Sequence, residues 1–296
     1  MYKSGFIGII GRPNVGKSTL LNALVGEKIA ITTSKPQTTR NRIMGIRNQA
    51  EGQMIFMDTP GIHQADSPLN RQMVQVARDT FQRVDMLLML VEAAAGVHAA
   101  DPLIIKSLPE GAMPVILVIN KIDLVKKTQL LPLIDQLHPL HAFAAVVPLS
   151  ARTGEGLSQL IGEILQALPE GPAFFPEDTM TDGSERFIAA EIIREKIILL
   201  TRQEIPYATA VVVDAFKEDE HKRLIRIQAT IHVEKDSQKG ILIGKKGAKL
   251  KEIGTKARMD IEQFFNARIY LELFVRVQKD WTHDEKMLKQ FGYFQK

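Results

Sequence analysis

Between Phe6 and Gly26 the chain passes from a continuous apolar run, FIGII, through the octet GRPNVGKS (Gly11–Ser18) into a helix-forming run, TLLNALVG. The octet satisfies G-x-x-x-x-G-K-[ST], and a buried strand before it with a helix after it is the context in which such a loop cradles phosphate. The backbone N–H groups of Asn14, Val15, Gly16, Lys17 and Ser18 would curl round a β-phosphate at the helix N-terminus, where partial positive charge favours an anion. In that arrangement Lys17 bridges the β- and γ-phosphates and the Ser18 hydroxyl binds Mg²⁺. Gly11 and Thr19 complete the loop residues assigned to the nucleotide. The plain alternative, a tight strand-to-helix turn with an incidental lysine, is disfavoured by the two flanks.

The same alternation continues downstream. Apolar runs at MIFM, MLLMLVEA, VILVIN and AAVVPL are separated by helical stretches around Leu69 to Arg83, Leu103 to Leu108 and Gly156 to Leu168. Continuous apolar strands between helices indicate a sheet buried on both faces. The fold class is α/β, a doubly wound, mostly parallel sheet. From Pro169 the sequence becomes PEGPAFFPEDTMTDGSE, rich in Pro, Gly and acids, which reads as a linker ending near Ser184. We divide the chain into a first domain at 1–172, a linker at 173–184 and a second domain at 185–296. The second domain reads helix (RFIAAEIIREKIILLT), two strands (TAVVVDAFKE and KRLIRIQATIHVEK), two short helices hinged at GKKG, and a strand (RIYLELFVRV). A polar helix around Asp284 to Gln290 follows. This is a smaller α+β unit of order α-β-β-α-α-β.

With 296 residues, 45% of them apolar, two such domains can each bury a core. The absence of cysteine rules out disulfides and thiolate metal sites, which makes a reducing cytoplasm the default. The N-terminus shows no leader pattern, and MLLMLVEAAAGV is too short to span a bilayer. Charge is unevenly placed: residues 1 to 179 carry 16 basic and 16 acidic side chains, while 180 to 296 carry 22 and 18. Lys235 to Arg258 alone holds eight basic residues against Asp236 and Glu252, a local balance that suits a polyanion as well as a solvated helix face.

A phosphate loop does not choose the base. Asn120-Lys121-Ile122-Asp123, after the strand VILVI, forms N-K-x-D, and a carboxylate at Asp123 can accept from both N1–H and the N2 amine of guanine, donors that adenine lacks in that arrangement. Lys121 can lay its aliphatic stem along the base, and Asn120 can tie this loop to the phosphate loop. Ser150 and Ala151, after AAVVPL, would supply a backbone N–H at Ala151 for guanine O6. Asp58-Thr59-Pro60-Gly61 gives D-x-x-G after MIFM: Asp58 would hold Mg²⁺ through water, and the Gly61 N–H would sense the γ-phosphate, so its loop can take two states. Thr38 and Thr39 in PQTTRNR are the threonines that can reach Mg²⁺.

GRPNVGKS, QTTRNR, DTPG, NKID and SA, in this order and spacing across roughly residues 5 to 168, resemble the translation-factor-related P-loop GTPases and specifically the Era family. The family pattern selects Thr39 beside Arg40 as the metal-side threonine, giving Ser18, Thr39 and Asp58 toward Mg²⁺ and Lys17, Thr39 and Gly61 toward the reacting phosphate. After the D-x-x-G glycine stands Ile62, where small GTPases place a water-orienting Gln. The family shares a hydrophobic residue there, which leaves the water-positioning group unassigned. In related GTPases an Asn at the position of Asn14 helps hold K⁺, so the resemblance implies K⁺ at Asn14 and slow turnover sensitive to cation and partner.

In the second domain Gly244-Lys245-Lys246-Gly247 lies between two helical pieces. Paired glycines let a phosphate approach closely, and lysines add charge. A lone G-x-x-G is weak; together with the element order, the basic stretch and apolar flanks at Ile241, Ile243 and Ile253 it resembles a type II KH domain. Ile243, Gly244, Lys245, Lys246, Gly247 and Lys249 are the residues this assigns to RNA. A GTPase followed by such a domain is the Era arrangement. It implies GTP and GDP binding, slow GTP hydrolysis, contact with the 3′ end of 16S ribosomal RNA, and a monomer acting in 30S maturation, cytoplasmic with peripheral inner-membrane contact in some members. Two competing readings are a membrane-surface GTPase without RNA, and an RNA-binding module on an inert scaffold. An intact Lys17, Ser18 and Asp58 argues against the second.

Overall fold

The computed structural model describes residues 1–293 apart from 34, 36, 37, 62–67, 110, 112, 203 and 220–222, so Ile62 lies outside the described residues. The chain forms two compact units, whose main division in sequence falls between Asp182 and Gly183.

In the N-terminal unit β1 (Lys3–Ile10), β3 (Gly52–Asp58), β4 (Met86–Glu92), β5 (Val115–Asn120) and β6 (Ala145–Pro148) run parallel, while β2 (Ile43–Gln49) joins the β3 edge antiparallel. The order is β2-β3-β1-β4-β5-β6. Helices α1 (Lys17–Val25), α2 (Pro68–Thr80), α3 (Ala100–Lys106) and α4 (Leu130–Leu137) connect the strands, and α5 (Leu157–Ala167) follows β6. Strands covered on both faces must be apolar at successive positions, and from Met86 to Val91 every side chain of β4 is buried. Strand order turns back beside β1, so the carboxyl ends of β1, β3, β4 and β5 bring their following loops to one crevice, the place where open α/β sheets bind ligands.

Two elements go beyond the sequence reading. β2 carries Arg47, Asn48 and Gln49 and only a short apolar stretch, as suits an edge strand. α4 contains Pro132 in its first turn, where the missing N–H costs nothing because no intrahelical partner exists there. The segment read as a linker from 173 is instead fastened to the N-terminal unit. The buried Gln53 amide donates to the Phe175 carbonyl (2.8 Å) and accepts from the N–H groups of Phe174 (2.7 Å) and Phe175 (2.9 Å). Further along, Ile46 N–H donates to the Met180 carbonyl (2.8 Å) and Thr181 Oγ1 to the Met44 carbonyl (2.7 Å). Its Pro- and Gly-rich composition therefore encodes a strap along β2 and β3 rather than a free connection.

The C-terminal unit runs α6 (Glu185–Leu200), β7 (Ala210–Asp219), β8 (Leu224–Val233), α7 (Asp236–Ile243), α8 (Ala248–Phe265), β9 (Arg268–Val277) and α9 (Glu285–Gln290). β7 pairs antiparallel with β8, and β8 pairs parallel with β9. A parallel pair needs a crossover, which α7 and α8 supply. Ile193 and Ile197 of α6 and Ile253, Ala257 and Ile261 of α8 form a common core with Ile227, Ala229 and Ile231 of β8. Ser184 opens α6 by accepting the Phe187 N–H. Trp281 is fully buried and donates from Nε1 to the Ala208 carbonyl (3.0 Å).

Candidate functional site

The loop between β1 and α1 lines a cavity of about 240 Å³ together with Ile31, Thr32, Thr33, Thr38, Thr39, Gly61 and Lys121. Pro13, Asn14, Gly16, Lys17, Ser18 and Thr19 contribute from the loop itself. The geometry follows from the sequence. Gly16 sits at φ +100°, and a β-carbon there would fall 2.3 Å from Asn120 Nδ2, so only glycine fits between loop and neighbour. α1 begins with no side-chain cap and no acidic residue in its first turn, which leaves its N–H donors and positive dipole end directed at the cavity.

Lys17 is buried, and its Nζ donates to the carbonyls of Gly11 (3.2 Å) and Arg12 (3.1 Å). Burial lowers its amine to about 8, against the opposing pull of Asp58. At the other wall Ser18 Oγ donates to Asp58 Oδ2 (2.6 Å) and lies 2.8 Å from Thr39 Oγ1, which itself donates to Asp58 Oδ2 (3.3 Å). Asp58 is fully buried and its Oδ1 has no hydrogen-bond partner among the described residues. Burial pushes its carboxyl up to about 6, with Lys17 opposing. Two hydroxyls and a carboxylate with an oxygen to spare form a hard-oxygen donor set suited to Mg²⁺, which takes one or two carboxylates beside phosphate and water. Thr38 is directed elsewhere: its Oγ1 donates to the Lys35 carbonyl (2.7 Å) and lies 2.7 Å from Thr33 Oγ1.

Asn120, at the end of β5, joins three loops. Its Nδ2 donates to the Val15 carbonyl (2.8 Å), and its Oδ1 accepts from the N–H groups of Lys121 (2.8 Å) and Ala151 (3.0 Å). The Ala151 N–H expected to face guanine O6 is thus given to Asn120, as a buried amide requires a partner. Ser150 is buried, its Oγ accepting from Thr153 N–H (3.2 Å). Asp123 is exposed on a single helical turn, Ile122–Leu124, and neither it nor Ser150 nor Ala151 lines the cavity, which covers the phosphate end. Lys121, at φ +64°, does line it. Thr59, which the motif reading passes over, anchors the D-x-x-G turn by donating from Oγ1 to the Ile9 carbonyl (2.9 Å); only the β1–β3 pairing reveals it.

In the C-terminal unit Gly244 (φ +70°), Lys246 (φ +52°) and Gly247 (φ +79°) make the turn between α7 and α8. A β-carbon on Gly244 would meet the Lys249 β-carbon at 2.7 Å. Lys245 and Lys246 are exposed, Ile243 is half-buried, and Lys249 pairs with Glu252 (3.0 Å), which also holds Lys256 (3.1 Å). Beside this turn a groove of about 570 Å³ is floored by Leu250, Leu271 and Leu273 and edged by Gly247, Lys251 and Arg258. Of the apolar flanks of G-x-x-G, Ile253 is in the core, and Ile241 and Ile243 are not among the residues lining the groove. Two of these leucines, Leu271 and Leu273, come from β9 and lie far in sequence from G-x-x-G, so no local pattern marks them. An aliphatic floor with cations at its rim suits unstacked bases on a phosphate backbone. No helix among the described residues is long and apolar enough to cross a membrane.

Residues 6–121 match the family described as 50S ribosome-binding GTPase, and residues 204–282 match the KH domain. The chain is 66% identical over 293 residues to GTPase Era of Syntrophus aciditrophicus, covering 99% of this chain and 96% of that one. GTPase Era of Geobacter metallireducens is 56% identical, with 99% and 98% covered. Among solved structures, a single-substitution variant of Aquifex aeolicus Era bound to GDP.AlF4⁻ superposes with a TM-score of 0.95 at 41% identity over 99% of this chain and all of that one. An Era in complex with MgGDPNP and nucleotides 1506–1542 of 16S ribosomal RNA gives 0.96 at 41% identity over the whole of both chains.

Proposed function

The chain belongs to the Era family of GTPases, and we propose on that basis that it is a GTP-hydrolysing switch whose KH domain binds single-stranded 16S ribosomal RNA near its 3′ end during 30S maturation. The observation that carries the reading is the meeting of Ser18, Thr39 and Asp58, from three separate segments, with one Asp58 oxygen left over. Those three residues would hold Mg²⁺, which when bound neutralises charge on the phosphate oxygens. Lys17 exchanges its carbonyl partners for the β- and γ-phosphates, and a phosphate repays the burial that weakens its charge. The open N-terminus of α1 receives the β-phosphate, with Gly11, Asn14, Val15, Gly16 and Thr19 shaping the loop. Asp123 reads guanine, Lys121 covers its face, and Asn120, Ser150 and Ala151 hold the loops that carry them. The Gly61 N–H and Thr39 register the γ-phosphate, so that their loops have two states.

Asn14 lines the cavity, which supports extending the proposal to K⁺ at that residue. In the C-terminal unit Gly244, Lys245, Lys246 and Gly247 would grip the RNA backbone, with Ile243 and Lys249 beside them and bases seated over Leu250, Leu271 and Leu273. The relative solved with nucleotides 1506–1542 of 16S ribosomal RNA supports this choice of ligand. We place the protein in the cytoplasm as a monomer, with contact at the inner membrane confined to its surface.

The test is GTP turnover in K⁺ buffer with and without an RNA matching those nucleotides, with Gly244→Asp/Gly247→Asp as the control. RNA binding lost in the control is the expected result. An RNA that neither binds nor changes the rate would remove the ribosomal role, and binding to anionic vesicles without RNA competition would replace it with the membrane-surface reading.

A further inference from the structure

Four charged side chains of the N-terminal unit, two from the motifs and two from outside them, form a line. Asp101, in the first turn of α3, has a fully buried carboxylate that accepts the His98 N–H (3.1 Å) and stands 3.2 Å from Arg12 Nε. Arg12 Nη2 lies 3.7 Å from Glu92 Oε2, and the same Glu92 oxygen lies 2.9 Å from Lys121 Nζ. Signs alternate along the line. Exposure rises along it from 0% at Asp101 through 13% and 19% to 30% at Lys121, so the inner charges are screened least.

Their places in the fold give the line a direction. Arg12 belongs to the phosphate loop yet does not line its cavity, whereas Lys121 does. Glu92 ends β4 directly across from Asn120, so strand pairing fixes it beside the N-K-x-D turn. Lysine is among the side chains that lose most rotamer freedom on immobilisation, and an ion pair formed before the nucleotide arrives moves that loss from binding to folding.

We propose that Glu92, backed by Arg12 and Asp101, is a positioning residue that holds Lys121 against the guanine base and thereby sets how long nucleotide stays bound. The proposal rests on the guanine-nucleotide reading of the site. It also makes the phosphate loop and the base loop share one electrostatic support, in addition to the Asn120 hydrogen bonds.

The experiment is stopped-flow dissociation of N-methylanthraniloyl-GDP from the full chain carrying Glu92→Gln, Lys121→Ala or both. Glu92→Gln is expected to speed dissociation about five-fold, the scale of a partly exposed ion pair. In the Lys121→Ala background the same change should have less than about a two-fold effect, because its target is gone. Equal acceleration in both backgrounds would overturn the positioning role, since a general loosening of the fold is indifferent to Lys121. Glu92→Asp, which keeps the charge, should restore part of the residence time; failure to do so while thermal unfolding is native-like would also count against the proposal. If the native chain binds GDP and Glu92→Gln releases it no faster, the positioning role alone fails. If the native chain does not bind GDP, the nucleotide reading falls and this proposal with it.

Discussion

Asn120→Ala should dismantle the frame of the nucleotide site. The change deletes three hydrogen bonds, from Asn120 Nδ2 to the Val15 carbonyl and from the Lys121 and Ala151 N–H groups to Oδ1. Lys121 is partly exposed, so water can replace its bond. Val15 and Ala151 are buried, and each polar group left without a partner costs about 1–3 kcal/mol, for a total of about 2–6 kcal/mol. A water admitted to the vacated space would bring the loss to the lower end, about 2 kcal/mol. With a urea slope of about 2 kcal/mol/M, that lower figure moves the unfolding midpoint of the N-terminal unit down by about 1 M. Far-UV circular dichroism follows that transition. The single tryptophan, Trp281, belongs to the C-terminal unit, and its fluorescence follows that unit separately. GDP affinity should fall with stability, because the same side chain spaces the phosphate loop from the base loop. A midpoint displaced by less than about 0.25 M, with GDP affinity retained, would refute the reasoning, since it would correspond to under about 0.5 kcal/mol for two buried groups.

Three other outcomes are expected. Asp123→Asn should turn preference from guanosine toward xanthosine nucleotides in a competition assay, because the carboxylate that accepts from N1–H and the N2 amine is lost; undiminished GTP selectivity would unseat Asp123 as the base reader. Chelating Mg²⁺ with EDTA should bring GTP turnover to background and weaken GTP binding more than GDP binding, as Asp58 is left with a buried oxygen facing an anion; turnover that persists would remove Ser18, Thr39 and Asp58 as its ligands. Burial lowers the His232 pKa below its ordinary value of 6.5, with Arg276 acting the same way and Asp214 against both. The unfolded chain therefore takes up a proton first, so this contribution to stability is present above 6.5 and is lost as pH falls from there toward the folded value. His232→Gln should flatten that part of the stability profile measured by Trp281 fluorescence.

The sequence carried the phosphate loop, the D-x-x-G and N-K-x-D turns and the order of elements in the C-terminal unit, because each depends on short-range pattern: an apolar run, a glycine where only glycine fits, a helix behind it. What it concealed depends on pairing across the fold. The apolar stretch of Ile43–Gln49 is too short to declare a strand until β3 supplies its partner, and Pro132 looks like a helix breaker until the first turn of α4 is located. Thr38 and Thr39 are chemically alike, and the Thr33 and Lys35 contacts that occupy Thr38 follow from loop shape alone. Arg12 lies far in sequence from Glu92 and Asp101 and meets them because β1 pairs with β4 and α3 follows β4. The same holds for Leu271 and Leu273, whose place under G-x-x-G is decided by the parallel β8–β9 ladder.

The strap over β2 has a consequence for the behaviour of the protein in a crowded solution. β2 is the end of a six-stranded sheet, and an uncovered end strand offers N–H and C=O groups on which another chain can template itself. By giving the Ile46 N–H and the Met44 carbonyl partners from Met180 and Thr181, the strap makes the sheet self-terminating. A protease nick within 173–179 would therefore do more than cut a connection between two halves: it would uncover a sticky edge, and the cleaved protein should precipitate before it unfolds.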